Sequence, residues 1–314
     1  MSFTVRIKEE ISTIKSNETE SQAELSAYIR NSGTIEKSSI LMTTENKFIV
    51  DRITSMIHEI YKVDSKVETI ENLNFSKKDL FQITIPKDSK MLKDLGVLDE
   101  KERVLNTVPN YIVGGNEEIR SYLRGVFLAS GSINDPKTSR YHMELLVKEP
   151  DESVFVQKLL NLFDLNAKIL NRDKGYMIYI KEAEKISDFL KILGANQAVL
   201  YYENVRIYRD QKNKTNRLNN CEQANMDKII QTAASQLEDI EIIEENDGVM
   251  LLDEKVTEVL EYRKKYPETS LKELAEIISL ETGKSITKSG LNHRLRKIKE
   301  LADSFRKMKE EKKD

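Results

Sequence analysis

The sequence predicts an α+β protein in which two similar halves, each of αββαββα order, are followed by an all-α region. Two observations lead to this prediction: an internal repeat at an offset of 98 residues, and a change to purely helical periodicity after residue 226. The chain has 314 residues, of which 39% are hydrophobic and 33% are charged. Such a chain is long enough for two domains with cores of their own.

The internal repeat has two anchors that keep the same spacing. Residues 25–35 and 123–133 are similar, and both contain Ser-Gly after an apolar helical stretch. Further along, Gly96 and Gly194 close two similar segments at the same offset. Chance similarity of two helix starts does not explain a second anchor, so the two halves are expected to pair about a pseudo-twofold axis.

Each half has the same predicted order of elements after its first helix. The first half predicts a hairpin over 34–42, a helix over 46–61, strands over 66–70 and 80–85, and a helix from 88. The second half predicts a hairpin over 133–147, a helix over 152–163, strands over 168–170 and 176–180, and a helix from 182. Alternation, as at Ile83 and Ile85, indicates the strands. Helical spacing of Val154, Leu159, Leu162 and Phe163 indicates the helix over 152–163.

Composition excludes several classes of protein. The first ten residues carry acids where a signal peptide needs an apolar run, and no stretch is apolar enough to span a bilayer, so we expect a cytoplasmic protein. The single cysteine, Cys221, excludes an internal disulfide and a cysteine metal cluster. His58, His142 and His293 lack ligand spacing. We therefore expect neither a metal nor a cofactor.

Charge is distributed unevenly although the net charge is only −3. Residues 226–261 contain eleven acids and two bases, a net of −9, whereas residues 284–309 contain nine bases and two acids, a net of +7. A second basic stretch, from 203 to 220, includes Arg206, Arg209 and Arg217. The basic segment 284–309 is either a solvated helix or a nucleic-acid surface. The basic stretch 203–220 is equally well a phosphate-contacting segment or a solvated linker.

The C-terminal region predicts a helix-turn-helix. Thr269 or Ser270 begins a short helix, residues 281–284 form a turn, and Thr287 begins a long basic helix. On a helical wheel, Arg296 and its neighbours lie about 140–240° from the apolar stripe that starts at Leu291. Donors on that outward face suit phosphates and guanine edges in a major groove, and the alternative is a packing module with a basic solvent face. The candidate DNA-binding residues are Lys288, Ser289, Asn292, His293, Arg294, Arg296 and Lys297, with Arg206, Arg209 and Arg217 from the upstream stretch.

The first helix of each half resembles the LAGLIDADG motif of homing endonucleases. In that family two such helices pack closely through small residues, here Ala27, Gly125 and Ala129, and the last acid of each helix holds a divalent cation. The positions of those acids are occupied by Ser32 and Ser130. A neutral hydroxyl is a poor ligand for Mg²⁺, so the resemblance predicts a degenerate domain without nuclease activity.

The order of these parts is similar to that of the WhiA family over nearly the whole length. The most specific match is Lys-Ser-Gly-Leu-Asn-His-Arg-Leu-Arg-Lys over 288–297, and others are 122–133, 181–186, 205–210 and 219–225. The resemblance implies a LAGLIDADG-like domain joined to a helix-turn-helix domain similar to the promoter-reading region of sigma factors. It further implies regulation tied to cell division, chromosome segregation and, in some lineages, sporulation.

The predicted organisation is therefore a degenerate LAGLIDADG-like domain over 1–200, with repeats over about 20–97 and 118–195, a basic connector over 201–225, and a helix-turn-helix domain over 226–314 with its motif at about 270–306. We expect a non-enzymatic, nucleoid-associated transcription regulator that binds double-stranded DNA. We expect the N-terminal domain either to contact the DNA backbone or to bind a protein such as a sigma factor or another regulator. The alternatives are a divergent homing endonuclease that uses other acids, and a structural module that binds protein.

Overall fold

The computed structural model describes residues 1–70, 79–173 and 175–311, and of residues 310 and 311 only the backbone. Contacts divide the chain into two units, Met1–Asp210 and Gln211–Asp314. This division falls later in the chain than the predicted end of the first domain at residue 200. Within the described residues, no helix combines the length and the apolar character that crossing a membrane requires.

The first unit consists of a leading helix and two halves of the same order. The leading helix α1 (Phe3–Ser12) was not predicted, although Phe3, Ile7 and Ile11 give it a buried stripe. The elements of the first half are α2 (Glu18–Ser32), β1 (Thr34–Ile35), β2 (Ser39–Thr44), α3 (Lys47–Tyr61), β3 (Lys66–Ile70), β4 (Leu80–Pro86) and α4 (Ser89–Asp94).

The second half follows a 3₁₀ helix at Asn110–Val113 and repeats this order. Its elements are α5 (Asn116–Ser130), β5 (Gly131–Ile133), β6 (Met143–Val147), α6 (Pro150–Leu162), β7 (Lys168–Arg172), β8 (Gly175–Ile180) and α7 (Ala183–Leu193). The predicted αββαββα order of both halves is confirmed.

Each half forms one four-stranded antiparallel sheet. The strand orders are β1-β2-β4-β3 and β5-β6-β8-β7, so the two sheets have the same topology. In the first sheet Ile40 pairs with Ile85 and Met42 with Ile83, and all four side chains are buried on the same side. The strand alternation seen in the sequence therefore indicates the correct buried face.

The buried face of α6 differs from the prediction. Val154 and Leu162 are 44% and 67% exposed, whereas Val156 and Leu160 are fully buried. The helix exists where its periodicity predicts it, but Phe155, Val156 and Leu160 are also apolar, so more than one stripe is possible. Packing on β8 selects the one that is buried.

A single helix, α8 (Asn196–Glu245), contains the predicted connector 201–225 and the predicted amphipathic helix that follows it. Its first residues belong to the first unit, where Tyr202 is buried, and its last turns belong to the second unit, where Ile240 and Ile243 are buried.

The second unit continues with a 3₁₀ helix at Gly248–Leu251 and three helices, α9 (Glu254–Lys265), α10 (Leu271–Thr282) and α11 (Lys288–Glu311). One apolar cluster joins them to the end of α8. Its buried members are Ile240, Ile243, Val256, Val259, Leu260, Leu274, Ala275, Ile278, Leu291, Leu295, Ile298 and Ala302.

Candidate nucleic-acid interface

The helix-turn-helix is formed by α10, a short turn and α11. Ser270 and Glu273 form a capping box that begins α10, and Gly283 ends it in the left-handed conformation with φ of 71°. The backbone N–H of Gly290 donates to Oγ1 of Thr287 at 3.1 Å, which satisfies a free donor at the beginning of α11. Local sequence therefore fixes both helix ends that define the turn.

The inward face of α11 packs on α10 and α9. Leu291, Leu295 and Ile298 are buried in the same cluster as Leu274 and Ile278. This packing places the opposite side of α11 in solvent, as the helical wheel predicts.

The solvent face of α11 carries five of the candidate side chains. All five are exposed, and none of them makes a hydrogen bond or an ion pair with another described residue. They are Lys288, Ser289, Asn292, His293 and Arg296. Their donors and acceptors are free to contact a ligand.

Two other candidates on α11 are engaged with α9. Nη1 of Arg294 lies 3.5 Å from the carbonyl oxygen of Lys255 and 3.9 Å from Oε2 of Glu258. Nζ of Lys297 lies 3.2 Å from Oδ2 of Asp253. The backbone N–H of Val256, together with Lys297, lowers the pKa of Asp253. These cations therefore contribute to the α9–α11 contact as well as to the surface charge.

The end of α10 is tied to α9 by a carboxylate. Glu281 accepts from Nζ of Lys265 at 2.8 Å and from the hydroxyl of Tyr266 at 2.6 Å. The hydroxyl of Tyr262 donates to the same side chain at 3.1 Å. Lys265, Tyr266 and Tyr262 hold the pKa of Glu281 at about 2. The position of α10, and with it the turn that precedes α11, is thus held by polar contacts as well as by the core.

The three upstream arginines differ in whether their side chains have hydrogen-bond or ion-pair partners. Arg206 pairs with Glu203 at 2.8 Å and with Glu184 at 3.2 Å. Arg209 donates to the carbonyl oxygens of Pro136 and Thr138 at 2.5 and 2.6 Å, and its guanidinium lies 4.6 Å from the centre of the Tyr141 ring.

Those two arginines thus hold α8 against the first unit. Arg217, in contrast, is exposed and makes no described side-chain contact. The structure does not bring the three together as one group of free cations.

The central helices of the first unit pack very closely, as the motif resemblance predicts. A Cβ atom added at Gly125 would lie 2.3 Å from the carbonyl oxygen of Glu24 and 2.8 Å from Cβ of Ala27. Only glycine fits there, because the backbone of α2 occupies the space of a side chain.

The two serines at the motif ends are engaged within their own helices. Oγ of Ser32 donates to the carbonyl oxygen of Tyr28 at 2.7 Å, and Oγ of Ser130 donates to that of Val126 at 3.4 Å. Among residues 1–70, 79–173 and 175–311, no three His, Cys, Asp or Glu side chains are grouped closely enough to hold a metal ion.

Buried charges join the two halves, and sequence reasoning missed them. Glu24 on α2 is fully buried and accepts from Arg124 on α5 at 3.1 Å and from Arg52 on α3. Glu24 is far from Arg52 and Arg124 in the sequence, so no local spacing predicts that they pair.

A second buried network lies nearer the motif ends. Glu152 accepts from the Tyr122 hydroxyl at 2.6 Å, from Nε of Arg30 at 3.2 Å and from Nδ2 of Asn31 at 3.3 Å. Burial and the adjacent Glu152 raise the pKa of Tyr122 well above its usual value. Asn31, which departs from the small-residue pattern of the motif, therefore has a polar partner in the opposite half.

Comparison with known families gives three consecutive matches. Their descriptions are the WhiA N-terminal LAGLIDADG-like domain over residues 18–98, the WhiA LAGLIDADG-like domain over 119–212, and the WhiA C-terminal HTH domain over 215–302.

Two similar relatives are each named "Probable cell division protein WhiA". The protein from Enterococcus faecalis is 41% identical over 312 residues, which cover 98% of this chain and 99% of the relative. That from Staphylococcus epidermidis is 43% identical over 311 residues, which cover 98% of each chain.

Among solved structures, the crystal structure of full-length DUF199/WhiA from Thermatoga maritima matches with a TM-score of 0.61 at 24% identity. The match covers 97% of this chain and 99% of that one, and it shows a shared fold.

Proposed function

The chain belongs to the WhiA family, and on this premise we propose that it is a sequence-specific DNA-binding regulator of transcription without nuclease activity. The solvent face of α11 reads base edges in a major groove, and α10 packs against the buried face of α11. The partner is double-stranded DNA, and no metal or cofactor takes part.

One observation carries this proposal: the free solvent face of α11. An arginine such as Arg296 can donate to O6 and N7 of guanine, and an asparagine such as Asn292 can donate to N7 and accept from N6 of adenine, while Lys288 and Ser289 suit phosphates. Polar side chains at the start of a helix are free here because the core and the contacts to α9 need none of them.

The absence of nuclease activity rests on Ser32 and Ser130. A hydroxyl that donates to its own helix does not replace a carboxylate as a ligand for Mg²⁺. The competing function is a divergent homing endonuclease in which other acids hold the metal. Incubation of the purified protein with plasmid DNA and Mg²⁺ or Mn²⁺ separates the two, because only the endonuclease cuts.

The cellular role that we propose is supported by relatives that are each named "Probable cell division protein WhiA". We extend that role to this chain, and with it chromosome segregation, sporulation in lineages that sporulate, and a place on the nucleoid in the cytoplasm. An RNA polymerase sigma factor or another regulator is the protein partner that this role implies.

The test is selection of binding sites from a pool of random DNA duplexes, followed by crosslinking of the protein to DNA in cells. We expect one enriched sequence in the pool and the same sequence at a limited set of promoters. Equal binding to all duplexes, or no binding at any salt concentration, would instead support a structural module that binds protein.

A further inference from the structure

The middle of α8 packs against none of the residues that the structure describes. Every residue from 211 to 228 is exposed, whereas the helix is partly buried on either side of this segment. The segment contains five asparagines, at positions 213, 216, 219, 220 and 225. Asparagine is a poor helix former, so these amides are not explained by the stability of the helix itself.

The polar side chains of this segment are sorted by face. At 100° per residue, Asn213, Arg217, Asn220, Ala224 and Lys228 fall within about 80° of one another. We call this the amide–cation face. Lys214 and Cys221 flank it, while Lys212, Asn219, Glu222 and Met226 lie on the opposite side.

The composition of the face argues for a nucleic acid as its occupant. Four cations and two acids give residues 211–228 a net charge of +2, and the cations Arg217, Lys214 and Lys228 share one side. Their side chains and that of Asn220 make no described contact with other residues. Asparagine pairs bidentately with adenine and arginine with guanine, and a small residue such as Ala224 permits close approach to a thymine methyl group.

The shape selects duplex DNA. A bare helix of this length spans about 27 Å and fits the major groove of B-form DNA, which is about 12 Å wide. The major groove of A-form RNA is too narrow for it. A second copy of the chain is a poorer occupant, because Leu218 and Met226 are the only large apolar residues from 211 to 228, and a coiled coil needs one every three or four residues.

We propose that residues 211–228 of α8 form a second DNA-reading helix, which places its amide–cation face in a major groove. The proposal rests on the proposed function, since it adds base contacts to a protein that already binds a specific site through α11.

The experiment compares two double variants of the full chain that each remove one cation and one amide. Arg217→Ala with Asn220→Ala changes the amide–cation face, and Lys212→Ala with Asn219→Ala changes the opposite side. Each is measured on the duplex selected by the parent protein and on an unrelated duplex. Because each bidentate base contact discriminates strongly, the first variant is expected to lose at least about tenfold in affinity for the selected duplex and its preference for part of the sequence. The second is expected to lose about threefold or less on both duplexes, through charge alone.

A third variant separates base reading from charge. Arg217→Lys keeps the positive charge, so the dependence of affinity on salt should not change, while preference for a guanine in the selected site should be lost. If both double variants weaken the two duplexes equally, the segment contributes charge only and the proposal is wrong. The proposal is also wrong if light scattering shows that the parent is a dimer, that the first variant is a monomer, and that base preference is unchanged.

Arg296→Ala in α11 identifies which inference has failed. Loss of preference in that variant with full preference in the α8 variants leaves the proposed function intact and rejects the second reading helix. A parent protein that selects no sequence at all rejects both.

Discussion

Arg296 is the side chain on which the reading of DNA by α11 depends most. It is exposed, it has no partner among the described residues, and it projects away from Leu295 in the core. Replacing it with alanine should cost about 1–3 kcal/mol of binding free energy on the selected duplex and relax base preference at one position. Affinity is measured by titration of labelled duplexes at fixed salt.

Lys307, farther along the same helix, provides the control. It is exposed and unpaired as well. Lys307→Ala should weaken selected and unrelated duplexes to the same small extent, or neither, because a distant cation acts through charge alone. Parental affinity of Arg296→Ala for the selected duplex would contradict the assignment of this face.

Gly125 sets the distance between the two central helices. Because a Cβ atom there would overlap the Glu24 carbonyl, Gly125→Ala should lower the free energy of unfolding of the first unit by about 1–3 kcal/mol. Urea denaturation followed by circular dichroism measures the loss. Gly114→Ala is the control, since its Cβ would find no atom closer than 3.8 Å and the backbone is already helical there. Similar stability of the two variants would mean that α2 and α5 separate without cost.

At the scale of elements, the beginning of α8 depends on α1. Oε1 and Oε2 of Glu10 accept from the backbone N–H groups of Gln197 and Ala198 at 2.6 and 3.0 Å. The carboxylate thus satisfies two free donors and lies at the positive end of a long helix. Glu10→Ala should cost about 1–2 kcal/mol of unfolding free energy, measured by urea denaturation.

The neighbouring Glu9 gives the matched control for this cap. It lies on the same helix and makes no described side-chain contact. Glu9→Ala should leave stability nearly unchanged. If both variants lose the same free energy, the loss arises from α1 itself rather than from the contact with α8.

The sequence predicts elements well where one periodicity is strong and repeated. Both sheets and the helices between them follow from alternation and from the repeat at 98 residues, and Thr287 caps α11 as predicted. Helix α1 was missed because four apolar residues in ten also suit a loop. The continuity of α8 was missed because its middle has no apolar stripe, and tertiary contacts at its two ends, rather than propensity, establish the helix.

At the scale of the whole molecule, the sequence predicts the outward face of α11 but does not show which of its cations are paired and which are free. The wheel groups Lys297 with Arg296, and only the structure shows that Lys297 faces Asp253 while Arg296 is free. The same holds for Arg209 and for the contact of Arg206 with Glu184, whose partners come from distant loops and helices. Partners of long flexible side chains depend on tertiary neighbours, which no local spacing encodes.

The two halves of the first unit are joined by buried ion pairs. Arg124 of one half reaches Glu24 of the other, and Arg30 reaches Glu152 in the opposite direction. A buried pair stabilises only when it is complete, because removal of one partner leaves an uncompensated charge. The interface between the halves therefore holds both buried carboxylates in ion pairs with arginines.

Charge also predicts what happens when carboxylates are introduced at Ser32 and Ser130. Ser32 and Ser130 are each the last residue of a helix, where the helix dipole disfavours negative charge, and they occupy equivalent positions on two helices that pack together. Ser32→Asp with Ser130→Asp should therefore lower the free energy of unfolding by about 1–3 kcal/mol in the presence of a chelator. Excess Mg²⁺ should recover part of this loss, because a divalent cation neutralises both carboxylates. The parent protein and the matched variant Ser32→Ala with Ser130→Ala should show no change in melting temperature on addition of Mg²⁺ or Mn²⁺. Stabilisation of the parent by either ion would show that other groups hold a metal and would reopen the nuclease interpretation.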